Sequence, residues 1–115
     1  MGDNAEKIRR PRFHEIEAYT FTGPGRDYKV DIFCQPAQME EWFLAVEVKN
    51  RNVQQVGVTE VETFAHKLQA LQAHRGAVKL QGLFYSCNGF HEPALAKLRE
   101  LGIWHWDFAT LARLA

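Results

Sequence analysis

Apolar residues recur along this chain in two rhythms, and the change from one to the other divides it into elements. Trp42-Phe43-Leu44-Ala45-Val46-Glu47-Val48-Lys49 suits a strand, and a period of two sends Leu44, Val46 and Val48 to one face and Ala45, Glu47 and Lys49 to the other. Tyr28 to Phe33 reads as a second strand, with Tyr28, Val30 and Ile32 on one face and Asp31 on the opposite one. Phe13 to Phe21 supports an earlier strand with imperfect alternation, joined to the next by the turn signal Gly23-Pro24-Gly25. Pro36 and the polar Gln38 to Glu41 break the chain before Trp42, so the first three strands form an antiparallel meander.

The rhythm then lengthens. Val61, Phe64, Ala65, Leu68 and Leu71 recur at three- and four-residue spacing, which predicts a helix from about Val58 with one apolar stripe toward the sheet. Thr59 followed by Glu62 fits a capping box at its start, and Gly76 after His74 and Arg75 ends it. Ala77 to Ser86 returns as a strand, and the intervening helix is the crossover that lets it lie parallel to an earlier one. After Asn88-Gly89 a second helix starts near Pro93, buries Ala94, Leu95, Leu98 and Leu101, and stops at Gly102. Ile103 to Trp106 is a short strand, Asp107 a helix cap, and Phe108 to Leu114 a last short helix. The expected class is α/β, a central mixed β-sheet flanked by helices.

The chemistry starts where a carboxylate and an ammonium, Glu47 and Lys49, leave a mostly hydrophobic strand on the same face. A hairpin pairing of the second and third strands brings Asp31 beside them. Two carboxylates meeting on an apolar sheet repel each other unless a cation lies between them, and hard oxygen ligands suit Mg²⁺ or Mn²⁺. Such a site fits phosphodiester chemistry. A Glu-X-Lys on a strand by itself is usually a surface ion pair of small value; Asp31 and the succession of elements shift the weight to the metal site.

Composition narrows the choice. The 115 residues, 46% of them hydrophobic, suit one domain with a single core. Residues 1–12, with Asp3, Glu6, Lys7, Arg9, Arg10 and Arg12, have no apolar face to bury and are expected to be a disordered or frayed N-terminal segment, leaving 13–115 as the domain. Lys+Arg and Asp+Glu both number 14, so any DNA contact must come from local patches rather than a global basic field. Two cysteines, Cys34 and Cys87, read as reduced thiols, and no run approaches the roughly 20 apolar residues that span a bilayer. A soluble, cytoplasmic protein is the expectation.

Asp31 followed by Glu47-Val48-Lys49, with residues 32 to 46 between the acids, resembles the PD-(D/E)XK nuclease superfamily, and within it the Mrr-like restriction endonucleases. The downstream part is similar as well, with an amphipathic helix, a strand ending in small polar residues, and Gly89-Phe90-His91-Glu92-Pro93-Ala94 running into a helix that ends in Leu101-Gly102-Ile103. The resemblance covers roughly residues 13 to 112 and implies a restriction-endonuclease-like fold and a metal-dependent DNA endonuclease of restriction, defence or DNA processing. It implies that Asp31, Glu47 and the backbone carbonyl of Val48 hold Mg²⁺ or Mn²⁺, and that Lys49 orients or deprotonates the attacking water and stabilises the phosphate. Family members usually carry a helix before the first strand, often with a glutamate near the site. Here either the chain is a fragment of a larger protein, or Glu15, Glu17 or Glu6 replaces that acid, or activity is weakened.

The alternative from another class is a catalytically inactive nuclease-like domain serving DNA binding or protein assembly, and an enzyme on RNA or nucleotides is a third reading. Neutral charge favours the second; an acid pair on a sheet face favours the enzyme. The polar cluster Asn50, Arg51, Asn52, Gln54 and Gln55 follows the motif at the mouth of the site, as a phosphate-contacting segment or as a plain polar loop. Lys67 and Gln69 are assigned to the solvated side of the first helix, and the five histidines match no zinc spacing. Cutting both strands of a duplex needs two sites, which makes homodimerisation an expectation, alongside further domains of a parent protein.

Overall fold

The computed structural model describes residues 13–37, 42–50, 54–76 and 78–114. Residues 1–12, 38–41, 51–53, 77 and 115 lie outside the described residues. Five strands form one sheet in the order β1-β2-β3-β4-β5: β1 Phe13–Gly23, β2 Arg26–Pro36, β3 Trp42–Lys49, β4 Lys79–Ser86 and β5 Trp104–Asp107. The first three are antiparallel, and β4 and β5 add on parallel to β3. The sheet is therefore mixed, as the sequence predicts. Crossover helices α1 (Val58–Arg75) and α2 (Glu92–Leu101) link the parallel strands, and α3 (Phe108–Leu114) follows β5. Because β4 and β5 are added in the same direction, two right-handed crossovers lay α1 and α2 on the same face.

Two clusters fill the space beneath the helices. One joins Val61 and Phe64 of α1, Ala94 and Leu98 of α2, Phe84 of β4 and Phe90, where Phe64 and Phe90 both meet Phe84 edge to face, at 5.4 and 5.6 Å. Each such aromatic pair adds about 0.5–1.5 kcal/mol to the burial itself. The other joins Phe21, Val30, Phe33, Phe43, Ala45 and Leu71. Gly82 lets α1 lie close to β4: a Cβ there would stand 2.5 Å from Leu68 Cδ1. On the opposite face Ile16, Ile32 and Trp42 stay exposed.

Three sequence expectations are corrected. The α1 cap is not Thr59 with Glu62: the cap lies two residues earlier, at Gly57, whose N–H donates to Glu60 Oε1 at 3.3 Å. Thr59 already lies in the first turn, where its carbonyl accepts from Thr63 Oγ1. The alternation assumed for β2 also fails. Glu17 pairs with Phe33 but Tyr19 pairs with Val30, so two residues of β2, Asp31 and Ile32, stand opposite one of β1. This bulge puts Val30 and Phe33, three apart, into the same cluster beneath α1 and leaves Ile32 at the surface. The buried stripe of α2 is also shorter than the pattern predicts: Ala94 and Leu98 are buried, but Leu101, in the last turn at the rim of the core, stands 40% exposed. Elsewhere the elements follow the pattern, and Gly102 ends α2 in the left-handed conformation with φ 69°.

Asp107 caps α3 as expected, with Thr110 N–H donating to its Oδ1 at 2.8 Å, and that bond holds the carboxyl below its usual pKa. A depressed carboxylate stabilises the fold above its unfolded pKa of about 3.9 and loses that contribution as pH falls through the lower folded value. Asp107→Ala should cost about 0.5–2 kcal/mol at neutral pH and nothing at the acid end of that window, measured by urea unfolding across pH. Phe84→Ala, at the crossing of the aromatic pairs, should cost about 3–5 kcal/mol with an unchanged dependence on urea concentration.

Candidate active site

The parallel strands end at one edge of the sheet, the usual place for chemistry in open α/β sheets because loops and side chains converge there. Glu47 and Lys49 stand at the end of β3, on the face covered by α1. The β2–β3 ladder runs from Cys34↔Leu44 to Ile32↔Val46, and the next residues in that register are Asp31 and Glu47. Past that point the bulge turns β2 away. The Asp31 carboxylate takes over as acceptor, and Val48 N–H donates to its Oδ2 at 2.9 Å. In a strand the N–H and C=O of one residue point to the same side, so the Val48 carbonyl is turned toward the Asp31 side as well. The structure thus brings Asp31, Glu47, Val48 and Lys49 together, and the bulge is the device that aims the first of them.

Glu47 is 9% exposed. Its two oxygens lie on different ammonium groups, Lys67 Nζ at 2.9 Å from Oε1 and Lys49 Nζ at 3.5 Å from Oε2. Lys67 is therefore misplaced by the sequence reading: it belongs to this site and not to the solvated side of α1. A helical wheel carries the signal, since at 100° per residue Lys67 falls roughly 40° from Leu71, at the border of the apolar stripe rather than opposite it. Beside it, between the β1–β2 hairpin and α1, a cleft of about 280 Å³ is walled by Arg26 and Tyr28 on one side and Thr59, Glu62, His66 and Lys67 on the other. The Arg26 guanidinium sits 5.0 Å over the Tyr28 ring, which stacks on Phe21.

The end of β3 is laced to its neighbours. Cys87 N–H donates to the Lys49 carbonyl at 3.1 Å, and Ser86, buried, donates its hydroxyl to the Gly89 carbonyl at 2.7 Å. Val56 N–H and His91 N–H close a bridge to Gly89 and Val56 carbonyls, so the segment leaving the motif is pinned again at Val56. Asn50 and Gln54 are exposed at the two ends of that segment, and Arg51 and Asn52 lie outside the described residues. Glu15 and Glu17 are exposed on β1; Glu17 pairs with Phe33, which pairs with Ala45, so it lies two strands and two residues from Glu47, on the order of 12 Å away. Glu6 lies outside the described residues. Cys34 and Cys87 are free thiols, and burial pushes the pKa of Cys34 up.

Among the described residues no group of three or more His, Cys, Asp or Glu is assembled. Two carboxylates and a backbone carbonyl still fit Mg²⁺, which is ordinarily held through one or two carboxylates with waters completing its octahedron. The buried Glu47 carboxylate, drawn to two ammonium groups, is a place that favours cations. Among the described residues no helix is long and apolar enough to cross a membrane.

Comparison with known proteins agrees with this fold. Among solved structures, a protein of unknown function, AF1548, superposes with a TM-score of 0.67 at 16% identity, over 94% of this chain and 56% of that one. A repair endonuclease from Pyrococcus abyssi gives 0.62 at 13%, over 90% and 42%. EndoMS in complex with double-stranded DNA gives 0.55 at 13%, over 92% and 43%. At these identities the likeness shows the fold, and the chain spans about half the length of the structures it matches. No curated protein matches. A family model of the Mrr catalytic domain, described as restriction endonuclease, matches residues 10–115. The chain belongs to the Mrr restriction endonuclease family.

Proposed function

We propose that this domain is a Mg²⁺- or Mn²⁺-dependent endonuclease that hydrolyses phosphodiester bonds in DNA. One observation carries the reading: on a domain of nuclease ancestry, the Asp31 carboxylate accepts from the N–H of Val48, the residue after Glu47 at the end of β3, and Lys49 stands beside Glu47. DNA as substrate draws support from the DNA-bound EndoMS fold and from the polar segment Asn50, Arg51, Asn52 and Gln54 that leaves the motif, where amide and guanidinium groups suit phosphate contacts. Homodimerisation, so that two sites face two strands, and further domains beyond this one belong to the same proposal.

The roles follow from position. Asp31 and Glu47, with the Val48 carbonyl, would hold the divalent ion. Once bound it would supply a lowered pKa for an attacking water and neutralise charge on the phosphate. Lys49, carried by the same strand two residues on, adds a fixed positive charge where the phosphorane develops and orients the water by hydrogen bonding. The tie from Cys87 N–H to the Lys49 carbonyl limits backbone movement under that side chain.

Asp31→Asn keeps an acceptor for the Val48 N–H and removes the charge, and Glu47→Gln does the same on β3. Both should abolish Mn²⁺ binding in a calorimetric titration and lower plasmid nicking by at least about 100-fold with the fold intact by circular dichroism. Lys49→Ala should cut nicking by on the order of 100-fold while Mn²⁺ still binds, since it removes charge stabilisation and no metal ligand. Metal binding indifferent to both acid substitutions would make the acid pair structural and the domain a DNA-binding or assembly module.

A further inference from the structure

Glu47 has more cationic company than a metal ligand needs. Of its two ammonium partners Lys67 is the closer, at 2.9 Å, and the better sheltered, its side chain 16% exposed against 30% for Lys49. The contact joins α1 to the centre of the sheet and covers Oε1 of the carboxylate that would hold a divalent ion. A carboxylate oxygen that already accepts from an ammonium holds a divalent cation less tightly unless the ammonium moves off, because two positive centres sharing one oxygen repel each other in a sheltered setting. Lys67 has room to move. Its stem is a four-carbon chain with rotatable bonds, and it also lines the cleft beside Arg26, Tyr28 and His66, a polar space open to solvent.

We propose that Lys67 is a positioning residue that holds Glu47 in the metal-free protein and competes with the divalent ion for it, so that loading the site requires the Lys67 ammonium to withdraw into the cleft. This rests on Glu47 being a metal ligand. In the metal-free state Lys67 keeps a buried carboxylate neutralised and correctly aimed; in the loaded state its charge stands free in the cleft next to the reacting strand. The affinity for the ion is then set partly by α1, through a residue that is no ligand.

The test is a calorimetric Mn²⁺ titration of the wild type, Lys67→Met and Lys67→Arg, with thermal unfolding of each in EDTA and in saturating Mn²⁺. Lys67→Met should bind Mn²⁺ about tenfold more tightly, the size of removing one contact charge from a half-buried site. Without metal it should melt lower than the wild type, and it should gain more from Mn²⁺ than the wild type gains. Lys67→Arg, which keeps the charge, should stay near wild-type affinity. Should Lys67→Met fail to fold, Lys67→Gln, which keeps a donor to Glu47 without the charge, gives the same readout. Equal or weaker Mn²⁺ binding in the uncharged variants overturns the competition, since a purely structural lysine would loosen the site on removal. If neither the wild type nor the variants bind Mn²⁺, the metal reading of Glu47 fails and the competition fails with it.

Discussion

A carboxylate cannot be buried on the face of a hydrophobic sheet unless something positive goes with it. Glu47 stands at 9% exposure between Ala45 and Lys49 on β3, and an uncompensated charge there would cost several kcal/mol, a large part of the roughly 5–15 kcal/mol that holds a domain together. Lys49 from its own strand and Lys67 from α1 supply the compensation. The second of these ties the helix layer to the sheet by charge at the point where the Phe64–Phe84 contact and the Leu68–Gly82 approach tie it by packing. The site and the core are thus parts of one interface.

Topology explains why the charges meet at this edge. Parallel β3, β4 and β5 place Lys49, Ser86 and Asp107 in neighbouring register at their ends, and each is drawn into a local backbone tie: Cys87 to Lys49, Ser86 to Gly89, Thr110 to Asp107. The antiparallel β2 runs the other way, so its early part, with Asp31, arrives at the same edge. One strand reversal therefore delivers a second acid to a place the parallel strands already define. Family membership places the domain that carries this arrangement among the restriction endonucleases.

Much of this was legible in the residues. Period-two alternation found β3 and the face shared by Glu47 and Lys49; period 3.6 found α1; glycines at 76 and 102 marked its end and that of α2. The bulge and the place of Lys67 depend on contacts remote in sequence, and the cap on a local choice between neighbouring turns. The bulge at Asp31 and Ile32 is set by how β1 pairs with β2, and no local pattern in Tyr28–Phe33 records it. The α1 cap went to Glu60 instead of Thr59 and Glu62 because a glycine N–H can be satisfied from the third residue of the helix without any side chain at the cap. The charge of Lys67 points to solvent while its helical angle points to the sheet, and the angle wins: a lysine bordering an apolar stripe can bury its stem and bring its ammonium to an acid across the interface.

The bulge in β2 also sets regularity against chemistry. Removing one residue between Val30 and Phe33 would heal the β1–β2 ladder and restore clean alternation, and by the rules that favour ideal sheets the strand would be better formed. It would also shift Asp31 out of reach of Val48 N–H, or delete it. A redesign that scored this sequence for sheet ideality would therefore erase the acid while improving the strand. The defect is the part of β2 worth preserving.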